Sequence, residues 1–327
     1  MLARYDVLVV GGGPAALGTA IAANLQGLRA AIVRRRGASA RLLGEAFHPG
    51  AGVVFSRLGI LAEVCAASQV RPSGQWVRWG DTASFQAFGA DEFGPWLGFH
   101  LMRPAFENIL LARVENLGIE IFDAASQIDL IEDAGRVAGV RIDGRSIASR
   151  YTVDASGSNT WLGRRMQLKY RVESPRLVAF YGTLDEYMAC DARLEATDSG
   201  WRWAGRMQSN IVAWTQLVLP GNLAAAPFRA ARGAPVAWKA LHKPAGPGYF
   251  VAGDAAVTLD PLSGKGVLRA LITGIQVVHA IASIAAGRSG ERSALEAYTG
   301  WLHALFENEV IKLRDVYREA GIPMPTC

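Results

Sequence analysis

The chain has 327 residues, 50% of them hydrophobic and 19% charged, with a formal net charge of +5. This length suits two packed lobes, and the composition excludes a disordered or low-complexity protein. The positive charge is spread thinly and no recognised binding motif accompanies it, so no nucleic-acid partner is expected. Cys65, Cys190 and Cys327 are widely spaced and form no C-x-x-C or Cys/His cluster. Zinc is therefore not expected, and the odd, low cysteine count fits a reducing, cytoplasmic location.

The first residues, "MLARYDVLVVGGG", are expected to enter a strand almost at once and leave no room for a signal peptide. From Tyr5, "YDVLVVGGGPAALGTAIAANLQGLRAAIVRRR" reads as strand, turn, helix, strand. Gly11, Gly13 and Ala16 fit G-x-G-x-x-G/A, with Pro14 beginning the helix. Gly11 permits the tight turn, Gly13 lets backbone approach a pyrophosphate, and small Ala16 permits close helix–strand packing. The helix N-terminus would offer its free N–H groups to the phosphates.

The second strand should end in an acid that binds the adenosine ribose. Arg34 stands there instead, followed by Arg35 and Arg36, with Arg41 nearby. An arginine at this site can accept a 2′-phosphate, stack on adenine or contact a diphosphate. The glycine turn alone does not choose between NADP and FAD.

Next comes a G-E-x-x-x-P turn, Gly44 to Pro49, leading into a helix. His48 in this turn is the histidine nearest a cofactor motif and could orient or deprotonate a phenol or indole. "QWVRWG" and "ASFQAF" are strand-like runs. "HLMRPAFENILLARVENLGIEIF" reads as a helix opened by Arg103, followed by a strand. "YTVDASGSNTWLGRRM" places Asp154 and Gly157 at a strand end. "LVAFYGTL", "SGWRWAGRMQ" and "NIVAWTQLVL" are further strand-like runs, and the alternation in the second puts Trp201 and Trp203 on one face. "AAAPFRAARGAP" reads as a loop or short helix.

"GYFVAGDAAVTLDPLSGKGVLRALITG" then gives a strand, Gly253-Asp254, a loop with Pro261, Gly264 and Gly266, and a helix continuing through Val267. The apolar run from Gly266 to Gly287 is interrupted by Arg269, Gln276 and His279, so a buried helix is expected and not a membrane span. The last segment has helical periodicity with a stop at Gly321.

The glycine turn and the Gly253-Asp254 segment together resemble the two FAD signatures of the two-domain flavoprotein monooxygenases related to para-hydroxybenzoate hydroxylase. The resemblance implies an α/β fold with a Rossmann-like FAD-binding lobe and a smaller antiparallel-sheet substrate lobe. The FAD-binding lobe would comprise 1–70, 100–165 and 245–290, the substrate lobe 71–99 and 166–244, and a C-terminal helix 291–327. By this resemblance Asp254 contacts the ribityl chain and Arg103 faces the FAD. Gly157 and Gly253 allow close approach to the cofactor. The loop from Pro261 through Gly264 and Gly266 to Val267 borders the flavin ring, with Pro261 where oxygen reacts.

The turn carrying Glu45 is similar to that of tryptophan halogenases. It is also similar to that of flavoproteins that modify tryptophan while tryptophylquinone cofactors mature, and "DPLSGKGVLRAL" looks closer to the second group. Halogenases need a lysine amine, which in that family follows the G-E turn. Here the five lysines begin at Lys169. The halogenase pattern W-x-W-x-I-P is met by Trp201 and Trp203, but Gly205 and Arg206 replace its last two residues.

The resulting expectation is an FAD-dependent monooxygenase using O₂ on an indole or phenol, including a tryptophan in a partner protein, with Trp201 and Trp203 toward the substrate. Trp76, Trp79, Trp96 and Trp214 would join them in an aromatic lining or simply pack the sheet. Electrons would come from NAD(P)H or a separate flavin reductase. The same motifs admit a reductase of the geranylgeranyl-reductase type. A halogenase and a flavin-binding maturation chaperone are further alternatives.

Overall fold

The computed structural model describes residues 4–35, 44–219 and 232–323. Arg36, Arg41, Cys327 and most of the "AAAPFRAARGAP" segment lie outside the described residues. The described helices are α1 (Pro14–Leu25), α2 (Ala51–Leu58), α3 (Leu61–Ala67), α4 (Arg103–Asn116), α5 (Trp161–Arg165), α6 (Gly266–Ala285) and α7 (Glu291–Glu319).

The first lobe is built on five parallel strands. Their spatial order is Glu120–Ala124, Ala30–Arg35, Tyr5–Val10, Arg145–Asp154 and Tyr249–Val251. Tyr5–Val10 is central and almost wholly buried, as its continuous apolar run requires of a strand covered on both faces. Two antiparallel strands, Asp129–Asp133 and Arg136–Ile142, extend this sheet beyond Arg145–Asp154. The lobe is thus Rossmann-like, with a mixed sheet.

The second lobe is a seven-stranded sheet. Its order is Arg232–Pro235, Val178–Asp185, Ile211–Val218, Gly200–Arg206, Ala192–Thr197, Gly74–Trp79 and Thr82–Ala87. Each neighbouring pair is antiparallel except Ala192–Thr197 with Gly74–Trp79, which is parallel. The sheet is antiparallel as expected apart from that one pair. Gly74–Trp79 enters from a distant chain segment, so no hairpin forces it to run opposite to its neighbour.

Helix α6 is long and apolar enough to cross a membrane by length and composition, yet most of it is buried inside the fold. It lies against α1. A Cβ on Gly18 would come within 2.7 Å of Leu271 Cδ2, and one on Gly274 within 2.3 Å of Thr19 Oγ1. Close approach of two helices needs such small residues at the crossing. Helix α7 packs across the end of the parallel sheet, where the Tyr298 hydroxyl donates to the Val251 carbonyl (2.7 Å). The chain turns after it at Gly321, whose φ of +64° is the left-handed conformation expected of a helix stop.

Gly274→Ala tests this packing. Alanine gains about 1 kcal/mol of helix propensity over glycine. The new methyl must displace Thr19 Oγ1, which is itself bonded to the Ala15 carbonyl at 2.6 Å. Overpacking costs about 1–3 kcal/mol, so the variant should be net destabilised in urea unfolding. Adding Thr19→Ala should recover most of the loss. Additive effects of the two substitutions would contradict the contact.

Candidate cofactor and active site

Three loops meet at the carboxyl ends of the parallel strands. The glycine turn comes first. Gly11 has φ +146°, and a Cβ there would stand 2.3 Å from the Ala155 carbonyl oxygen. The Ala155 amide in turn donates to the Val10 carbonyl (2.9 Å), so the turn and the "DASG" segment are in direct backbone contact. Gly13 is extended and caps α1, with Pro14 in its first turn. Ala16 is fully buried. A Cβ on Gly13 would meet nothing within 4 Å, and the same holds for Gly157, Gly264 and Gly266. Each of these glycines thus has an open side.

The third loop follows Tyr249–Val251. The Ala252 amide donates to the Asp154 carbonyl (2.8 Å), and Gly253 has φ +64° with its N–H bonded to Thr273 Oγ1 (2.9 Å). A Cβ at Gly253 would come within 2.8 Å of Ala15 Cβ. Asp154 is turned inward, where its carboxylate accepts from the amides of Ser156 (2.9 Å) and Leu162 (2.7 Å). It holds the middle loop and is spent on that task. The Asp254 side chain, by contrast, is half exposed.

Glu45 and Arg103 form an ion pair at 2.7 Å, brought together because the strands Gly44–Phe47 and Phe99–Met102 pair. Burial raises the Glu45 carboxyl above its ordinary range against the pull of Arg103, and the negative charge of Asp254 adds to the rise. Arg269 Nη2 lies 4.0 Å from Asp254 Oδ1.

Arg34 is paired with Asp123 on the neighbouring parallel strand (Nε–Oδ1 2.7 Å). A Cβ on Gly12 would touch its stem at 3.4 Å. The arginine that replaces the usual acid thus lies beside the glycine turn with its charge already partnered. Arg35 ends the same strand and is exposed.

His48 is exposed, with Phe88 edge-on at 4.9 Å. The Gly50 amide donates to its Nδ1 (3.2 Å). In the neutral ring the proton is then on Nε2, which can donate to a phenol or carbonyl oxygen but has no lone pair to accept a proton. Burial and the nearby charge of Lys265 lower its pKa, which favours that neutral form.

Lys265 is also informative. No lysine lies between the G-E turn and Lys169 in the sequence, yet the positive charge of Lys265, at the start of α6, is felt by His48. Its Nζ is held by Glu309 of α7 at 3.1 and 3.4 Å.

Pro261 is exposed in a short helical turn, and the loop leaves it through Gly264 at φ +61°. Val267 is buried behind it. Just before Pro261 stands a group that sequence reasoning missed. Asp260 is fully buried and accepts from the Tyr317 hydroxyl (2.7 Å), Trp238 Nε1 (3.0 Å) and the Leu262 amide (2.8 Å). Trp201 Nε1 donates to the same Tyr317 oxygen (3.2 Å).

Trp201 is therefore not a substrate contact. At 1% exposure it is core, tying the second sheet to α7. Trp203 shares its face, is only partly buried and lies edge-on to His100 at 6.0 Å. A Cβ on Gly205 would enter the Trp203 ring at 2.4 Å, and Arg206 is paired with Asp191. These contacts explain the two departures from W-x-W-x-I-P.

The other tryptophans do not line one cavity. Trp214 is buried in a small cluster with Ala204, on the face opposite Trp203, while Trp76 and Trp96 are exposed. His100, unnoticed in the sequence, is buried between the lobes, its Nδ1 2.9 Å from the Arg206 carbonyl and its pKa lowered by burial.

The tryptophan halogenase family model matches residues 94–216. Among curated relatives, a 4-methyl-5-nitrocatechol 5-monooxygenase from a Burkholderia species is 28% identical over 90% of this chain and 63% of its own length. A 1H-pyrrole-2-carbonyl-[peptidyl-carrier protein] chlorinase of Pseudomonas fluorescens is 26% identical over 50% of this chain. The chain spans only 42% of that relative. A digeranylgeranylglycerophospholipid reductase of Methanothrix thermoacetophila is 23% identical over 92% of this chain and 84% of the relative. Among solved structures, a triple mutant of the flavin-dependent brominase Bmp2 superposes with TM-score 0.81 at 21% identity, covering 97% of this chain and 90% of that one. The peptidyl tryptophan dihydroxylase QhpG, essential for tryptophylquinone cofactor biogenesis, superposes with TM-score 0.75 at 20% identity, covering 97% and 76%.

Asp260 gives the site a pH signature. Burial outweighs its three donors and raises the carboxyl from 3.8 to about 6. The folded state therefore holds this proton more tightly than the unfolded chain. The stabilisation is complete below the unfolded value and is lost as pH rises through about 6. That difference corresponds to on the order of 3 kcal/mol. Asp260→Asn, which cannot ionise, should lack this loss, so its stability relative to the parent should rise from about pH 4 to about pH 7. Parallel stability curves for the two proteins in urea titrations would contradict the assignment.

Proposed function

From a chain with the two-lobed fold of FAD-dependent monooxygenases and halogenases, we propose an FAD-dependent monooxygenase that places one oxygen atom of O₂ on an electron-rich aromatic carbon. The substrate class is an indole or phenol, including a tryptophan side chain presented by a partner protein. The observation that supports this reading is the meeting of three loops at the carboxyl ends of the parallel strands, through the Gly11–Ala155 and Ala252–Asp154 backbone contacts. Asp254 stands in the third of these loops, and the Glu45–Arg103 ion pair is assigned to the same site.

When bound and reduced by NAD(P)H or a separate flavin reductase, FAD supplies the activation of O₂. The protein's part is to hold and orient. Gly11, Gly13, Pro14 and Ala16 form the diphosphate cradle at the start of α1, with Arg34 and Arg35 toward the adenosine end. Asp254 accepts from the ribityl hydroxyls, Arg103 is kept in place by Glu45, and Gly157 and Gly253 let backbone come close. The turn from Pro261 to Val267 lines the ring side. With a phenol, His48 donates from Nε2 to the substrate's oxygen and so fixes which carbon is presented.

A reductase is the second reading. The observation favouring it is that the archaeal reductase relative is matched over nearly its whole length, whereas the monooxygenase relative is matched over 63% of its own.

The test is incubation of the FAD-loaded protein with reductant and heavy-isotope O₂ over a panel of phenols, indoles and tryptophan-containing peptides. One heavy oxygen atom in an aromatic product is expected. Saturation of an isoprenoid alkene under argon, with no oxygen product, would contradict it. Asp254→Ala should weaken FAD binding by about 10- to 100-fold, the value of a lost charge-assisted hydrogen bond. His48→Gln should lower turnover by at least about 10-fold with FAD affinity unchanged. Unchanged turnover would remove His48 from the site.

A further inference from the structure

Arg269 stands in the first turn of α6 with its side chain 5% exposed. Its Nε and Nη1 are buried and have no hydrogen-bond partner among the described residues. Burying a guanidinium with unsatisfied donors is costly, so such a group calls for a compensating anion.

The nearby acids are committed elsewhere. Glu309 is bound by Lys265 (3.1 Å) and Lys312 (3.6 Å). Asp260 is occupied by Tyr317, Trp238 and the Leu262 amide. Among the described acids, Asp254 lies beside the guanidinium with its carboxylate half exposed, and at 4.0 Å from Nη2 it does not neutralise the charge by a direct hydrogen bond.

We propose that Arg269 is a positioning residue of the flavin site, holding the Asp254 carboxylate toward the cofactor and supplying a fixed positive charge that favours the reduced form of FAD. The proposal rests on the FAD reading above. Reduction by NAD(P)H or a flavin reductase delivers two electrons. When the ring takes up one proton with them, it gains one negative charge. A buried cation that cannot lose its proton, close to the Asp254 end of the site, interacts more favourably with that form than with the neutral oxidised ring.

The experiment is to load the full chain and its Arg269→Met and Arg269→Lys variants with FAD. The affinity for oxidised FAD and the midpoint potential are measured for each, and the affinity for reduced FAD follows from the two. Arg269→Met should weaken reduced FAD by roughly 10-fold or more beyond any loss for oxidised FAD, seen as a shift of the potential to more negative values. Arg269→Lys should restore most of the potential. Arg269→Gln carries the same expectation as Arg269→Met and serves if the methionine variant does not fold. Equal weakening of both forms with an unchanged potential would make Arg269 a packing residue only and overturn the proposal, as would no change in either. A parent chain that takes up no FAD in either form would overturn the FAD reading itself, an outcome distinct from both.

Discussion

The contact between Gly11 and the Ala155 carbonyl is the constraint on which the site depends. A side chain at position 11 would overlap that oxygen, so only glycine lets the first turn lie against the "DASG" loop. The central strand can then end level with its parallel neighbour, and the third loop closes the group through the Ala252 amide and the Asp154 carbonyl. The same economy of side chains recurs between α1 and α6, where Gly18 and Gly274 permit close packing. Helix α6 in turn carries the Pro261 loop and Arg269 to the carboxyl ends of the strands.

The second sheet is tied to this arrangement through one buried polar chain. Trp201 reaches Tyr317, Tyr317 reaches Asp260, and Asp260 immediately precedes the loop assigned to the flavin ring. Helix α7 therefore holds a strand of one lobe and the Pro261 loop of the other at a single hydroxyl. A buried carboxyl is an expensive way to make such a joint, but its acceptor geometry fixes three donors from separate segments at once.

Much of this was legible in the sequence because it is local. The glycine turn, the Gly253-Asp254 segment and the helix stop at Gly321 each declare themselves within a few residues, through backbone conformations few other residues adopt. The surroundings of Trp201, His100 and Asp260 were not legible. Each depends on a partner more than 50 positions away in the chain. Alternation correctly put Trp201 and Trp203 on one face, but it could not say that α7 covers the first of them. The lysine count shows the same limit, since a search of the segment after the G-E turn misses Lys265, which reaches the neighbourhood of His48 from α6.

That lysine sharpens the central claim, that this site delivers oxygen and not halogen. The most direct measurement is rapid mixing of the reduced, FAD-loaded protein with oxygenated buffer, with and without bromide, while the flavin spectrum is followed and a halogen-accepting dye is present. With Lys265 held by Glu309, reoxidation should proceed at the same rate in both buffers and the dye should remain unmodified. Faster reoxidation in bromide together with a brominated dye would contradict the account and assign the chain to halogenation.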